Sequence, residues 1–231
     1  MRTFIIGDVH GCLDELNDLL ARAAIGSDDQ IIFVGDLVGR GPNTSGVLDL
    51  VQRLNAVSVQ GNHERKLLQA HESEAGAERM KLGAGQRQLL QSLDAEHWTQ
   101  LKAMPLHKFL SAHQACVVHA GVMPGVPILA QDPWVLTHIR SLDDTGQPSP
   151  QVRPVSWGAR YKGPPHIVFG HSAQVGIQMH EHATGLDSGC VYGGRLTGLL
   201  LEDCQLVPAL AQRQQALVSV PARKVYYQPR I

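Results

Sequence analysis

Three short apolar runs mark the first third of the chain: Thr3–Ile6, Ile31–Val34 and Ala56–Val59. Runs of this length, rich in β-branched residues, predict buried strands. Between them the spacing changes. Leu13, Leu16, Leu19, Leu20 and Ala23 recur at helical intervals, which predicts a helix over about 13–24. A second helix is predicted over about 44–54, with Pro42 and Asn43 marking its start, and a third runs through Leu67 and Leu68. The β-α-β-α-β order implies parallel strands joined by right-handed crossovers. In such sheets ligands gather beyond the carboxyl ends of the strands.

Residues 71–104 read as helical and polar, broken by Gly83 and Gly85, and suggest a helical insert or cap. From Phe109 the pattern turns back to strand, with Ala115–Val118, Ile167–Phe169, Leu196–Leu201 and short runs around Leu206 and Val225. The stretch Asp143–Pro154, rich in Pro, Ser, Asp and Gly, predicts a loop. With no repeat and no linker, residues 1–231 are expected to form a single α/β domain, a sandwich of two sheets flanked by helices.

Composition narrows the choices. The 231 residues are 43% hydrophobic, enough for a sizeable core. A formal net charge of -1 argues against a general polyanion-binding surface but leaves room for a local basic pocket. No apolar run approaches ~20 residues and the N-terminus enters a strand at once, so no membrane span and a cytoplasmic location are expected. Cys12, Cys116, Cys190 and Cys204 form no CxxC pair, which disfavours a thiolate zinc site. Reduced, mostly buried thiols are expected.

The candidate chemistry lies at the strand ends. Gly7-Asp8-Val9-His10-Gly11, Gly35-Asp36-Leu37-Val38-Gly39-Arg40-Gly41 and Gly61-Asn62-His63-Glu64 each follow an apolar run. In an extended segment Asp8 and His10 would share one side and face one ion. Asp36 has two oxygens with which to bridge two ions, and Asn62 adds a neutral carbonyl oxygen. His119 and His171 repeat the design after two later runs, in Val-Val-His-Ala-Gly and Val-Phe-Gly-His. Mixed carboxylate, imidazole and amide ligation suits Mn²⁺, Fe or Zn²⁺ better than Ca²⁺. Two such ions activate one water and neutralise phosphate oxygens in an in-line displacement.

Taken in order, GDVHG, GDLVGRG, GNHE, HAG and FGH resemble the phosphoprotein-phosphatase-type metallophosphoesterases of the calcineurin-like superfamily. The resemblance spans about residues 3–202. It implies a four-layer α/β-β/α sandwich of two mixed sheets flanked by helices, and a dinuclear site holding two divalent ions, with Mn favoured and Fe, Zn, Co or Mg as alternatives. By match, Asp8, His10 and Asp36 hold one ion, and Asp36, Asn62, His119 and His171 hold the other. His63 matches the general acid and Arg40 a phosphate-clamping arginine. Leu186-Asp187-Ser188-Gly189-Cys190 and Gly193-Gly194-Arg195-Leu196-Thr197 are similar to a segment of the symmetrical bis(5′-nucleosyl)-tetraphosphatases, and also of bacterial serine/threonine phosphatases. Two departures stand out. Those tetraphosphatases usually read GNHD, where this chain has Glu64. They are also usually longer, so the cap is expected to be reduced.

Many protein phosphatases of this kind carry Asp where this chain has Gly39. That Asp keeps the acid histidine protonated, and its loss should lower the histidine's pKa. An alkoxide leaving group needs that proton far more than a nucleotide phosphate does. Gly39 therefore favours anhydride cleavage. The expected reaction is Ap4A to two ADP; the alternative is a serine/threonine or tyrosine protein phosphatase, and nucleotide-capped RNA carries the same linkage. A second phosphate-binding arginine is expected at Arg160, or else at Arg140. Tyr192 would rim the pocket, and Trp157 is expected in the core rather than on a base. The oligomeric state is left open.

Overall fold

The computed structural model describes residues 1–73 and 82–228. At its centre lies β1 (Thr3–Ile6), which pairs in parallel with β2 (Gln30–Phe33). Beyond β2 comes β3 (Val57–Ser58), also parallel. The crossovers are α1 (Leu13–Arg22) and α2 (Thr44–Arg53), the latter capped by the Asn43 side chain accepting from the Gly46 N–H. On the other side of β1 the long β11 (Arg195–Leu201) runs antiparallel, followed by β12 (Leu217–Pro221). The first sheet is thus mixed, in the order β12-β11-β1-β2-β3.

A second mixed sheet stands against it. Its strands are β4 (His107–Leu110), β5 (Ala115–Val118), β8 (His166–Phe169), β9 (Gln178–Met179) and β10 (Ala183–Gly185), in the order β4-β5-β8-β10-β9. A small hairpin, β6 (Ser141–Leu142) and β7 (Pro148–Ser149), lies outside both sheets.

Strand alternation turns these sheets into layers. Successive side chains point to opposite faces, so Ile5, Ile32 and Val34 meet Ala115, Val117 and Val168 between the sheets. Their neighbours Phe4, Ile6, Ile31 and Phe33 face outward onto Leu16, Leu19, Val47 and Leu48 of α1 and α2. Cys116, Val118, Ile167 and Phe169 face the other way, onto Leu136, Ile139 and Trp157. Each β-branched or aromatic run is therefore covered on both faces, as its unbroken hydrophobicity requires.

Some expectations shift. Leu206 and Val225 are not in strands; they lie on irregular segments and are 51% and 52% exposed, with no sheet face to cover them. The loop expected over Asp143–Pro154 contains β7. Of the insert expected over 71–104, residues 74–81 lie outside the described residues. The remainder holds the end of α3 (Asn62–Glu72), then α4 (Ala84–Ser92) and α5 (Ala95–Ala103). Trp98 and Leu101 of α5 enter the outer core beside α2, and no residue of α4 or α5 lines the main cleft. No helix among the described residues is long and apolar enough to cross a membrane.

Candidate active site

The strand-end loops converge where the carboxyl ends of β1, β2, β5 and β8 meet. Backbone bonds stitch the first two loops together: the His10 and Gly11 N–H groups donate to Asp36 O and Leu37 O, both at 2.8 Å. The segment after β1 is not extended. His10 turns into the site through a left-handed backbone, with φ 48. Asp36, Arg40 and His171 share that conformation, with φ 51, 66 and 70. It disfavours any side chain bearing a Cβ, at a cost of about 1–3 kcal/mol each. Such strain persists where the surroundings enforce it, and here it gathers at one place. Glycine supplies the close approaches: a Cβ at Gly170 would collide with the Asp8 carboxylate, and one at Gly61 with that of Asp36.

Asp36 sits at the middle. Its Oδ2 lies 3.5 Å from His10 Nε2 and its Oδ1 lies 3.5 Å from His119 Nε2. Asn62 Oδ1 is 3.0 Å from both His119 Nε2 and His171 Nδ1. Asp8 accepts the His171 N–H on both oxygens at 3.1 Å, joining the β1 loop to the β8 loop. Two donor sets result, His10–Asp36–His63 and Asp36–His119–His171, each with its atoms within 4.8 Å of one another and with Asp36 shared.

The histidines are oriented from behind. His10 Nδ1 donates to Val38 O (3.1 Å), His119 Nδ1 to Val34 O (2.9 Å) and His171 Nε2 to His138 O (3.2 Å). A carbonyl only accepts, so each of these nitrogens carries the proton and the other ring nitrogen presents a lone pair to the site. Burial keeps the rings neutral: it lowers His10 to about 3 and His119 to about 4, and holds His63 and His171 well below the usual imidazole range. Burial pushes the carboxyls the other way, Asp36 up to about 7, Asp187 to about 6, and Asp8 well above its ordinary value. Asp187 and Asp36 raise Asp8 further.

Buried carboxylates and inward lone pairs call for cations. Arg40 Nη1 already donates to the His10 Nε2 lone pair at 2.8 Å, where a positive charge is expected. The donor set of carboxylate, imidazole and amide oxygen fits Mn²⁺, Fe²⁺ or Zn²⁺.

His63, the first residue after Asn62 on α3, donates its N–H to Asp36 Oδ1 at 3.0 Å. Its ring meets that of His10 edge-on, with centroids 4.7 Å apart. A Cβ built on Gly39 would lie 3.3 Å from His63 Nδ1. Position 39 therefore borders the imidazole, and no carboxylate forms an ion pair with it among the described residues.

A cleft of about 690 Å³ opens over these groups, walled by Arg40, Arg140, His171, Asp187, Tyr192 and Tyr227, with Asp36 and Asn62 at its floor. Of the two arginines considered beside Arg40, Arg140 is the one that reaches it. Its guanidinium donates to Pro150 O (2.9 Å) and His171 O (3.3 Å). Arg160 is exposed and lines a separate groove with Asp143 and Asp144, because the turn after Trp157 carries it away from the cleft. Trp157 is 1% exposed, packs on Phe169 and donates to Ala120 O (3.1 Å), so it belongs to the core. Cys12, Cys116 and Cys190 are free and buried; Cys204 is free and exposed.

Three residues were given no role in the site from sequence. Glu64 is fully buried, and burial raises its carboxyl to about 7. Its Oε2 accepts from the Asp36 and Gly61 N–H groups, both at 2.9 Å, and its Oε1 from the Val38 N–H at 3.1 Å. It thereby ties the second loop to the third. The one legible signal was its place at the third position of a helix, where Glu closes a capping box. Asp187 sits at the end of the β10 segment and accepts the Gly189 N–H at 3.1 Å. Tyr227, on the C-terminal tail, had no signal.

Comparison with known proteins agrees with this geometry. The family model described as calcineurin-like phosphoesterase matches residues 1–192. The chain belongs to that family of metallophosphoesterases, and membership implies divalent metal ions. It is 31% identical to the asymmetrical bis(5′-nucleosyl)-tetraphosphatase PrpE of Bacillus mycoides (strain KBAB4), over 90% of this chain and 93% of that one. It is 30% identical to the protein of the same name from Oceanobacillus iheyensis, over 93% and 94%. Among solved structures it resembles one described, provisionally, as a diadenosine tetraphosphatase. The TM-score is 0.81 at 33% identity, covering 96% of this chain and 93% of that one.

Proposed function

We propose that this protein is a metal-dependent hydrolase of dinucleoside tetraphosphates that cleaves them asymmetrically, Ap4A giving AMP and ATP. The sequence favoured the symmetrical route to two ADP; the names of the relatives favour the asymmetrical one. The observation that carries the reading is the placement of two arginines and two tyrosines along a cleft whose floor is the Asp36-centred donor set. A phosphate chain with nucleosides attached needs both kinds of partner.

Asp8, His10, Asp36, Asn62, His119 and His171 would hold two divalent cations, Mn²⁺ first among them. Such cations supply charge for the phosphoryl oxygens and lower the pKa of water to that of a usable nucleophile. The chain's own groups do the rest. Arg40 and Arg140 grip phosphate oxygens with paired N–H groups. His63 stands beside the shared carboxylate and hydrogen-bonds the departing oxygen. Its surroundings hold it neutral, which suits a leaving group that is already a good one. We read residues 1–231 as one domain, consistent with the core shared between its sheets.

Chromatography of the products from Ap4A, with Mn²⁺ present, tests the proposal. AMP and ATP in equal amounts are expected. ADP alone would restore the symmetrical route, and dominant turnover of a phosphopeptide would replace the substrate class. Gly39 offers a second check. A carboxylate placed there would meet His63 Nδ1 and favour the imidazolium. Gly39→Asp should raise phosphoserine-peptide turnover, which expels an alkoxide, relative to Ap4A turnover by roughly a hundredfold, the lower end of general-acid effects, despite strain at φ 80. An unchanged ratio would remove Gly39 from the argument.

A further inference from the structure

The C-terminal tail delivers a residue to the cleft. The Tyr226 and Tyr227 N–H groups both donate to Val191 O at 3.0 Å. Behind them, the Arg223 N–H and the Tyr226 hydroxyl both donate to Glu15 Oε1 at 2.8 Å. The Arg223 guanidinium reaches Asp14 (3.0 Å) and Asp18 (2.9 Å) on α1. This segment is therefore moored at several points, and Tyr227, 40% exposed, is set against Tyr192 with ring centroids 6.1 Å apart. Tyr192 itself ends the turn Cys190–Tyr192, held between left-handed Gly189 and Gly193.

The two rings form a wall beside Arg40. The guanidinium carbon lies 5.4 Å from the Tyr192 centroid and 5.7 Å from that of Tyr227. The same guanidinium is 2.8 Å from His10 Nε2. One guanidinium thus spans the whole distance from the aromatic wall to the metal donor set. Partly exposed tyrosine rings, set edge to face at 70° beside a phosphate-gripping cation, suit one ligand chemistry, a nucleobase with its own phosphate.

We propose that Tyr192 and Tyr227 form a nucleobase platform, and that its closeness to the donor set selects the phosphorus attacked. A base on this wall would stand about one guanidinium's reach from the donor atoms, a gap short enough for one ribose and one phosphate to bridge. The phosphorus nearest the nucleoside then lies over them, and the inner phosphates extend past Arg140. This deepens the functional reading above and rests on it: the platform is a physical cause for asymmetrical cleavage.

The test uses Mn²⁺-loaded Tyr227→Ala, Tyr192→Ala, the double variant and Tyr227→Trp. Far-UV circular dichroism and thermal melts confirm that each is folded. Base stacking is lost on truncation, so KM for Ap4A should rise about tenfold with kcat changed less than about threefold. The loss on inorganic tripolyphosphate, which has no base, should be several-fold smaller. Tyr227→Trp should recover the KM. The double variant, with no wall to fix the register, should release ADP alongside AMP and ATP. Calorimetric titration with AMP and with inorganic phosphate gives an arm independent of turnover. AMP binding should weaken about tenfold in the variants, while phosphate binding shifts less than about twofold. Equal losses on Ap4A and tripolyphosphate, or an unaltered KM and AMP affinity in the folded double variant, would overturn the platform. Should wild-type protein bind AMP through Tyr227 yet leave Ap4A intact, the platform stands and the tetraphosphatase reading falls. If Ap4A is cleaved with no response to either tyrosine, the reverse holds.

Discussion

Glu64 carries more of the site than its surface chemistry suggests. Three backbone N–H groups, from Asp36, Val38 and Gly61, end on its two oxygens in a fully buried setting. Truncation leaves all three without partners, and each buried unsatisfied group costs about 1–3 kcal/mol. Glu64→Ala should therefore destabilise the fold by roughly 3 kcal/mol or more, and it should loosen Asp36 and with it cation affinity. Glu64→Asp keeps the charge but is one methylene shorter and cannot reach both loops, so it should recover only part. Urea unfolding and Mn²⁺ titration check both effects; full stability in Glu64→Ala would refute the role. The convergence of the candidate donor residues was legible because each is a polar residue on a glycine turn after an apolar run. Glu64 was not, since the same letters also spell an ordinary helix cap. Tyr227 was illegible for another reason: its position is set by hydrogen bonds that the tail donates to distant Val191 O and to Glu15 of α1, and nothing local marks it.

Elements were readable where the hydrophobic pattern alone fixed them. The strands at Thr3–Ile6 and Ala115–Val118 fall where their runs predict. β10, with the sequence Ala-Thr-Gly, has no such run. Its burial comes from tertiary partners, among them Arg213 in the short helix α6 (Leu210–Arg213), one of the largest fully buried side chains. Its guanidinium donates to the carbonyls of Pro208 (3.0 Å), His180 (2.6 Å), Glu181 (3.2 Å) and Ala183 (3.3 Å), and to Thr184 Oγ1 (3.1 Å). No carboxylate pairs with it among the described residues; carbonyl dipoles carry its charge. Sequence makes this arginine look like any solvated cation, the commoner fate of Arg. Arg213→Ala strands these acceptors at the edge of the second sheet, and the expected loss is about 3 kcal/mol. Arg213→Lys should not rescue it, because one ammonium cannot serve a planar five-donor fan. A lowered urea midpoint in both variants is the expected outcome; stability equal to wild type in either would show that the fan is dispensable.

Across the molecule, the donor set is also a joint. Asp8, Asp36 and Asn62 end strands of the first sheet or open the helix after it, and His119 and His171 end strands of the second. The sheets share an apolar interior, yet at this edge they meet as buried carboxylates and lone pairs. Without cations that edge is the least favourable part of the interface, since burial penalises the charges it contains. Cations bound there would cross-link the two layers in the folded state alone. Binding of that kind stabilises by roughly 4 kcal/mol per site when free metal is a thousandfold above Kd. For a chain of this size each kcal/mol moves Tm by about 2–4 °C, so chelation should lower Tm by roughly 8–16 °C for a single such site. Mn²⁺ should restore it. Asp36→Asn removes the charge shared by both donor sets and should shrink the difference between loaded and chelated protein to a few degrees at most, about the effect of 1 kcal/mol. Scanning calorimetry, with metal content measured on the same samples, decides the matter. An unchanged Tm on verified loss of metal would mean that the two sheets hold this edge together without ions, and that the donor set serves the substrate alone.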